Sequence, residues 1–243
     1  MRIDCAAGLC YRSKFTYSWG PGRDYTAEDL APILARNKFE GAILGALTDD
    51  PGETDWLLEL AGRHSWIQGV LTQVPDWQRW QGHRRFLGVE SPSPAGAVEL
   101  AKRGLIATSW PAEAPKLLDA APPLRLVVRA TAGLSFVPEA FGDWVRTMEP
   151  LKETAAIIQI DGLINFVGEG GWRAETYRSW VQYLLTTFGP ARLMYGSGWP
   201  LSMPHATWKE SLACFTQAMG AQTMDDRALI LGDNAAALVR YTD

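Results

Sequence analysis

A regular alternation constrains this chain more than any other feature. Short apolar, β-rich runs recur at residues 2–6, 40–47, 67–73, 86–90, 105–109, 124–131, 155–161 and 192–197. Segments with helical periodicity lie at 27–37, 53–63, 94–103, 112–120, 138–151, 172–188 and 207–219, and two more, 225–231 and 234–241, close the sequence. Runs such as AILGAL, LRLVV and AAIIQI are nearly continuous in apolar residues, as strands buried on both faces of a parallel sheet must be. Parallel neighbours need crossover connections, and the intervening helices supply them. Eight such units in 243 residues predict an α/β fold, a single (β/α)8 TIM barrel with residues 1–243 as one domain. A doubly wound open sheet would carry a Gly-rich turn after its first strand, and AAGLCYRSK holds no G-x-G-x-x-G. Thr26 and Asp29 mark the first helix start as a capping box, with Asp standing where Glu or Gln is preferred.

Composition limits the partners. The chain has 23 basic and 27 acidic residues, so no large positive field exists to neutralise phosphates, and a nucleic-acid partner is not expected. The start MRIDCAAGLCYRS has no long apolar stretch, so we expect no signal peptide, no membrane association and a cytoplasmic location. Three cysteines, Cys5, Cys10 and Cys214, form no C-x-x-C pair and are expected to be free, buried thiols. The histidines number three, His64, His83 and His205, which is little from which to build a metal cluster.

In such a barrel the chemistry sits at the C-terminal ends of the strands. That rule sends His64 and His83, each just before a strand, to the opposite face and leaves His205 as the one histidine in a mouth loop. The mouth candidates are Asp4, Cys5, Gln73, Glu90, Ser91, Ser109, Trp110, Arg129, Thr131, Gln159, Asp161, Ser197 and Trp199. Ionised groups inside a barrel are costly unless paired or wetted, so Asp4, Glu90, Arg129 and Asp161 are the most informative. They make either a structural layer of ion pairs or a site in which Arg129 holds a substrate anion and Asp161 or Glu90 does acid–base work. Trp77, Trp80, Trp110, Trp199 and Trp208 all follow strands, and several at the mouth would favour an aromatic or ring-shaped ligand.

The stretch FGPARLMYGSGWP (188–200) resembles the eighth-strand motif F-G-x-x-R-[LV]-M-[FY]-G-S-D-W-P of the amidohydrolase superfamily, in its amidohydrolase-2 branch, which includes sugar-lactone and pyrone-dicarboxylate lactonases. ILGDNAAALVRY (230–241) is similar to that branch's closing G-x-N-A-x-x-x-[YF] helix, and MRIDCAAGL to its first strand, I-D-A-H-x-H. FEGAILGAL, RFLGVES and AAIIQIDGL stand where its second, fourth and seventh strands fall.

The departures are systematic. Ala6 and Gly8 replace the two first-strand histidines, Gly198 replaces the eighth-strand aspartate, neither Arg129 nor Ala130 is the sixth-strand histidine, and Glu90 stands where an arginine is frequent. The resemblance therefore implies an inherited barrel with no metal ligands and no cofactor. It leads us to expect a metal-free, hydrolase- or lactonase-like site for a small anionic or aromatic molecule. In that site Asp161 and Glu90 are catalytic, and Arg129, Ser197, Trp199, His205 and Trp110 contact the substrate. The alternatives are a non-catalytic barrel that binds a ligand or partner and an isomerase or cyclase that reuses the scaffold; a homo-oligomer is compatible with each.

Overall fold

The computed structural model describes residues 1–18, 22–165 and 171–239. Eight strands follow one another around a single parallel sheet in chain order: β1 (Ile3–Ala7), β2 (Gly41–Gly45), β3 (Ile67–Thr72), β4 (Phe86–Glu90), β5 (Ile106–Ser109), β6 (Arg125–Arg129), β7 (Ile157–Ile160) and β8 (Leu193–Tyr195). The helices are α1 (Ala27–Arg36), α2 (Pro51–Arg63), α3 (Pro94–Lys102), α4 (Ala114–Ala120), α5 (Pro138–Met148), α6 (Ala174–Phe188), α7 (Trp208–Met219), α8 (Met224–Ala228) and α9 (Asn234–Val239). The expected TIM barrel is what forms. Between β3 and β4, where the periodicity holds no helical segment, the connection is one 3-10 turn, Trp77–Trp80. Arg240 and Tyr241 of the closing motif lie outside the described residues. Among the described residues no helix is long and apolar enough to cross a membrane.

The seam between β1 and β8 is closed by the segment after β8 rather than by a long strand ladder. Gly8 N–H donates to the Trp199 carbonyl at 2.7 Å, and Gly198 N–H donates to the Ala6 carbonyl at 2.9 Å. Asp4 fastens the same seam from outside the barrel. Its buried carboxylate accepts from Ser197 N–H at 2.9 Å, from the Trp208 indole at 2.8 Å and from Ala6 N–H at 3.3 Å, so β1, the β8 exit and α7 meet on one side chain. Burial pushes the Asp4 carboxyl up from its ordinary value against the lowering effect of those donors.

Local sequence sets the helix starts. Thr26 and Asp29 form the expected capping box, with Thr26 N–H donating to Asp29 at 2.8 Å. Asp50 and Ser93 cap α2 and α3 by accepting from Gly52 N–H and Gly96 N–H, and Pro51 and Pro94 sit at the first turn, where a missing N–H costs nothing. Apolar residues between strands and helices make the large outer core, to which Trp77, Trp80, Trp144, Trp180 and Trp208 belong. A second cluster fills the barrel itself: Ile3, Cys5, Ile43, Leu71, Leu87, Ile106, Val127 and Met194, stoppered from below by Ala235, Ala236 and Val239 of α9. With the lower end packed by side chains, the open end is the C-terminal one.

Candidate active site

The C-terminal ends of three strands bring together the charged residues picked out from the sequence. Arg129, ending β6, reaches Glu90 of β4 at 3.1 Å through one terminal nitrogen and Asp161, just after β7, at 3.3 Å through the other. All three are largely buried, Asp161 most of all, at 3% side-chain exposure. The fork of the guanidinium thus bridges two carboxylates that would otherwise repel each other across the barrel. Burial pushes the Glu90 carboxyl up; Arg129 opposes the shift, while the charges of Asp161 and Glu53 add to it. Burial lowers the Arg129 value, but the two carboxylates outweigh it and hold the guanidinium firmly protonated. A Cβ on Gly45 would stand 2.6 Å from Glu90 Oε1, so a larger residue there would displace the Glu90 carboxylate.

Above the triad is a cavity of about 230 Å³. That is smaller than the roughly 300–1,000 Å³ of sites for drug-sized ligands, so its occupant must be small. Its wall includes Cys5, Ala6, Gly8, Leu47, Glu90, Thr108, Arg129, Gln159, Asp161, Asn165, Gly198 and Trp199. Five buried polar atoms on these residues have no hydrogen-bond partner within the protein: Thr108 Oγ1, Arg129 Nε, Asp161 Oδ1, Asn165 Oδ1 and Trp199 Nε1. Buried polar groups are nearly always paired, so five orphans around one cavity are unusual.

Gln73, another residue singled out from the sequence, also lines the cavity, whereas Trp110, Ser197, His205, Asp4 and Ser109 do not. Trp110 is 41% exposed at the rim, with the Arg129 guanidinium 5.2 Å from its ring centroid, so it covers the triad without lining the cavity. Ser197 is fully buried, accepts from Trp199 N–H at 3.1 Å and bonds with Asp4, which places it in the seam. His205 is exposed in the turn before α7 and is not part of the cavity wall. Asp4, the second residue of β1, and Ser109, the last of β5, are likewise absent from that wall, whereas their neighbours Cys5 and Thr108 are in it. Trp77 and Trp80 pack on Phe86 in the outer core.

Sequence reasoning missed Thr108, Asn165, Leu47 and Glu53. Glu53, on α2, is buried and accepts from Leu47 N–H, Thr48 N–H, the Thr48 hydroxyl and the Tyr17 hydroxyl at 2.7–2.9 Å. It thereby fixes the loop that presents Leu47 to the cavity. Thr108 could have been found from the alternation of β5, because Ile106 lies in the barrel interior and residues two apart share a face.

Neighbouring residues occupy the positions beside Gly8 and Gly198. A Cβ on Gly8 would meet Leu47 at 2.7 Å, and one on Gly198 would meet Asn165 Oδ1 at 3.0 Å. Gly198 also has φ +69°, the left-handed region where a side chain is strained.

A family model for amidohydrolases, Amidohydro_2, matches residues 25–241. The chain belongs to this amidohydrolase family. Among solved structures, an amidohydrolase from Burkholderia multivorans with bound zinc superposes with a TM-score of 0.84 at 21% identity, covering 98% of this chain and 99% of that one. A probable 2-pyrone-4,6-dicarboxylic acid hydrolase from Acinetobacter baumannii, with citric acid bound, superposes with a TM-score of 0.78 at 13% identity over 98% of each chain. At these identities the likeness is one of fold. The uncharacterized protein y4mH of Sinorhizobium fredii is 23% identical over 231 residues, covering 79% of this chain and 76% of that protein.

A zinc ion like that of the Burkholderia family member does not fit the residues present here. Among the described residues no group of three or more His, Cys, Asp or Glu could hold a metal. The two mouth carboxylates already share the fixed cation of Arg129, and a divalent ion beside it would meet like charge. Restoring one family residue should not reverse this. Gly198→Asp is expected to cost about 1–2 kcal/mol in urea denaturation through its left-handed backbone, with zinc content by mass spectrometry unchanged. Stoichiometric zinc in that variant would contradict the argument.

Proposed function

We propose that this family member is a metal-independent, lactonase-like hydrolase whose substrate is a small, neutral, hydroxyl-bearing lactone or related cyclic ester. The observation that carries the reading is the set of five orphaned polar atoms around one small cavity. Arg129 Nε–H and the Trp199 indole N–H need an acceptor, Asp161 Oδ1 and Asn165 Oδ1 need a donor, and Thr108 takes either role. A ligand that satisfies them presents both carbonyl and hydroxyl groups. An aromatic dicarboxylate offers acceptors alone, which would leave Asp161 Oδ1 and Asn165 Oδ1 without a donor.

Asp161, with one free oxygen, is placed to take a proton from an attacking water. Glu90, whose carboxyl is raised by burial, is the acid that protonates the leaving ring oxygen.

The test is a thermal-shift and turnover screen of aldonolactones, aromatic dicarboxylates and sugar acids on dialysed protein of known metal content. A lactone at about 100 times its dissociation constant should stabilise by about 2.7 kcal/mol. Turnover should vanish in Asp161→Asn and Glu90→Gln. Because Glu90 must hold its proton, the rate should fall with rising pH at a value above the ordinary glutamate range. Turnover that needs about one equivalent of metal would refute the proposal, and so would a preference for dicarboxylates. Binding with no turnover would favour a non-catalytic barrel.

A further inference from the structure

Hydrolysis of a lactone passes through a tetrahedral intermediate in which the former carbonyl oxygen carries negative charge. A site without a metal must meet that charge with hydrogen-bond donors that are already in place. The geometry points to the Arg129 Nε–H and the Trp199 indole N–H as that donor pair; this rests on the hydrolase reading above and assigns to Trp199 a direct part in the chemistry.

Three observations support the pairing. Both N–H groups belong to residues of the same cavity wall, and neither is accepted by any protein atom. Both are also held still. The terminal nitrogens of Arg129 are pinned at 3.1 and 3.3 Å by Glu90 and Asp161, which fixes the direction in which Nε–H points. Trp199 is 1% exposed, its ring stands edge-on to Tyr25 at 5.3 Å, its backbone N–H donates to Ser197 Oγ at 3.1 Å and its backbone carbonyl accepts from Gly8 N–H at 2.7 Å. Donors that cannot turn toward the ground state stabilise charge when it appears and need no reorganisation. The pair also joins a cationic donor to a neutral one. The third observation is the surroundings. Gly8, Gly198 and Ala6 line the same cavity as Trp199, and none of them carries a side chain larger than a methyl group.

In the step this implies, the oxygen of water bonds to the acyl carbon while one water proton passes to Asp161. The carbonyl electron pair moves onto the oxygen held by Arg129 and Trp199. As the carbonyl re-forms, the bond from the acyl carbon to the ring oxygen breaks, and Glu90 gives its proton to that oxygen. Lactone and water become one hydroxy acid; the proton on Asp161 then returns Glu90 to its acid form.

The experiment compares wild type with Trp199→Phe, which keeps a ring and removes the N–H, on D-galactono-1,4-lactone and D-ribono-1,4-lactone, followed by acid release. A donor used in the transition state predicts a fall in kcat of about 10²-fold, with KM changed by less than about 3-fold, as befits an interaction absent from the ground state. A kcat within about 3-fold of wild type, or a loss seen wholly in KM, overturns the assignment while leaving the hydrolase reading intact. If wild type hydrolyses neither these nor any other aldonolactone, the hydrolase reading itself fails, and the pair with it. Should Trp199→Phe not fold, the wild-type protein with 15N-labelled tryptophan is titrated with D-galactono-1,4-lactam. One of the eleven indole N–H resonances should move downfield on binding. Binding by thermal shift with no indole signal displaced overturns the assignment, and absence of lactam binding counts against the hydrolase reading.

Discussion

Arg129→Met is expected to destabilise the barrel by about 3–5 kcal/mol at neutral pH, the usual cost of removing one partner from a buried charged network. The variant leaves Glu90 and Asp161 facing one cavity with no cation between them, and methionine fills much of the volume, so the loss reads charge more than packing. The sign of its pH dependence is fixed. Arg129 lowers the Glu90 carboxyl value in the wild type, so without it that value, already raised by burial, rises further. A group raised in the folded state stabilises fully below its unfolded value and loses that contribution as pH rises through its folded value. The deficit should therefore be largest at pH 7–8 and shrink as pH falls toward the ordinary glutamate range. Urea denaturation of both proteins at pH 5 and pH 7.5 measures it. Adding Glu90→Gln and Asp161→Asn should recover much of the loss, since neutral amides need no counter-charge. An equal deficit at both pH values, with no recovery, would assign Arg129 a purely steric role.

Asp4→Ala is the second large effect, again about 3–5 kcal/mol, for a different reason. Asp4 is the shared acceptor for Ser197 N–H, Ala6 N–H and the Trp208 indole, all at the seam where β1 meets the β8 exit. Each buried donor left unpaired costs about 1–3 kcal/mol, and alanine leaves space that must be collapsed or hydrated. The expected signature in equilibrium denaturation is a lower midpoint, accompanied by faster hydrogen exchange of Ser197 N–H and of the neighbouring seam amides of Gly8 and Gly198, which open together. Loss of stability without local exchange would mean that the seam is held elsewhere. This carboxylate lies in the sequence segment most similar to the family's first strand, yet it serves closure of the barrel rather than the cavity.

Much of the barrel is legible in the sequence because its units are local. Continuous apolar runs such as LRLVV and AAIIQI, the capping box at Thr26 and Asp29, and prolines at helix starts each report on a few neighbouring residues. The missing helical pattern between β3 and β4 was equally informative, since a single 3-10 turn occupies that place. Glu90, Arg129 and Asp161 were legible for a related reason: a charged residue at the end of an apolar strand has few places to go, and all three meet at the mouth.

The sequence by itself determined the barrel, the end at which Glu90, Arg129 and Asp161 meet, and the small residues Ala6, Gly8 and Gly198. The tertiary structure decided which of two adjacent β1 residues, Asp4 or Cys5, faces the barrel interior. Asp4 turns to α7 while Cys5 enters the barrel. It also decided what stands in the freed space, Leu47 beside Gly8 and Asn165 beside Gly198, each brought from a distant loop. The physical reason is register. The β1–β2 pairing shifts between Asp4 and Ala7, and the extra residue there brings Ala6 and Ala7 as well as Cys5 onto the cavity wall. Such a shift depends on how neighbouring strands close around the barrel, which no local run of residues encodes.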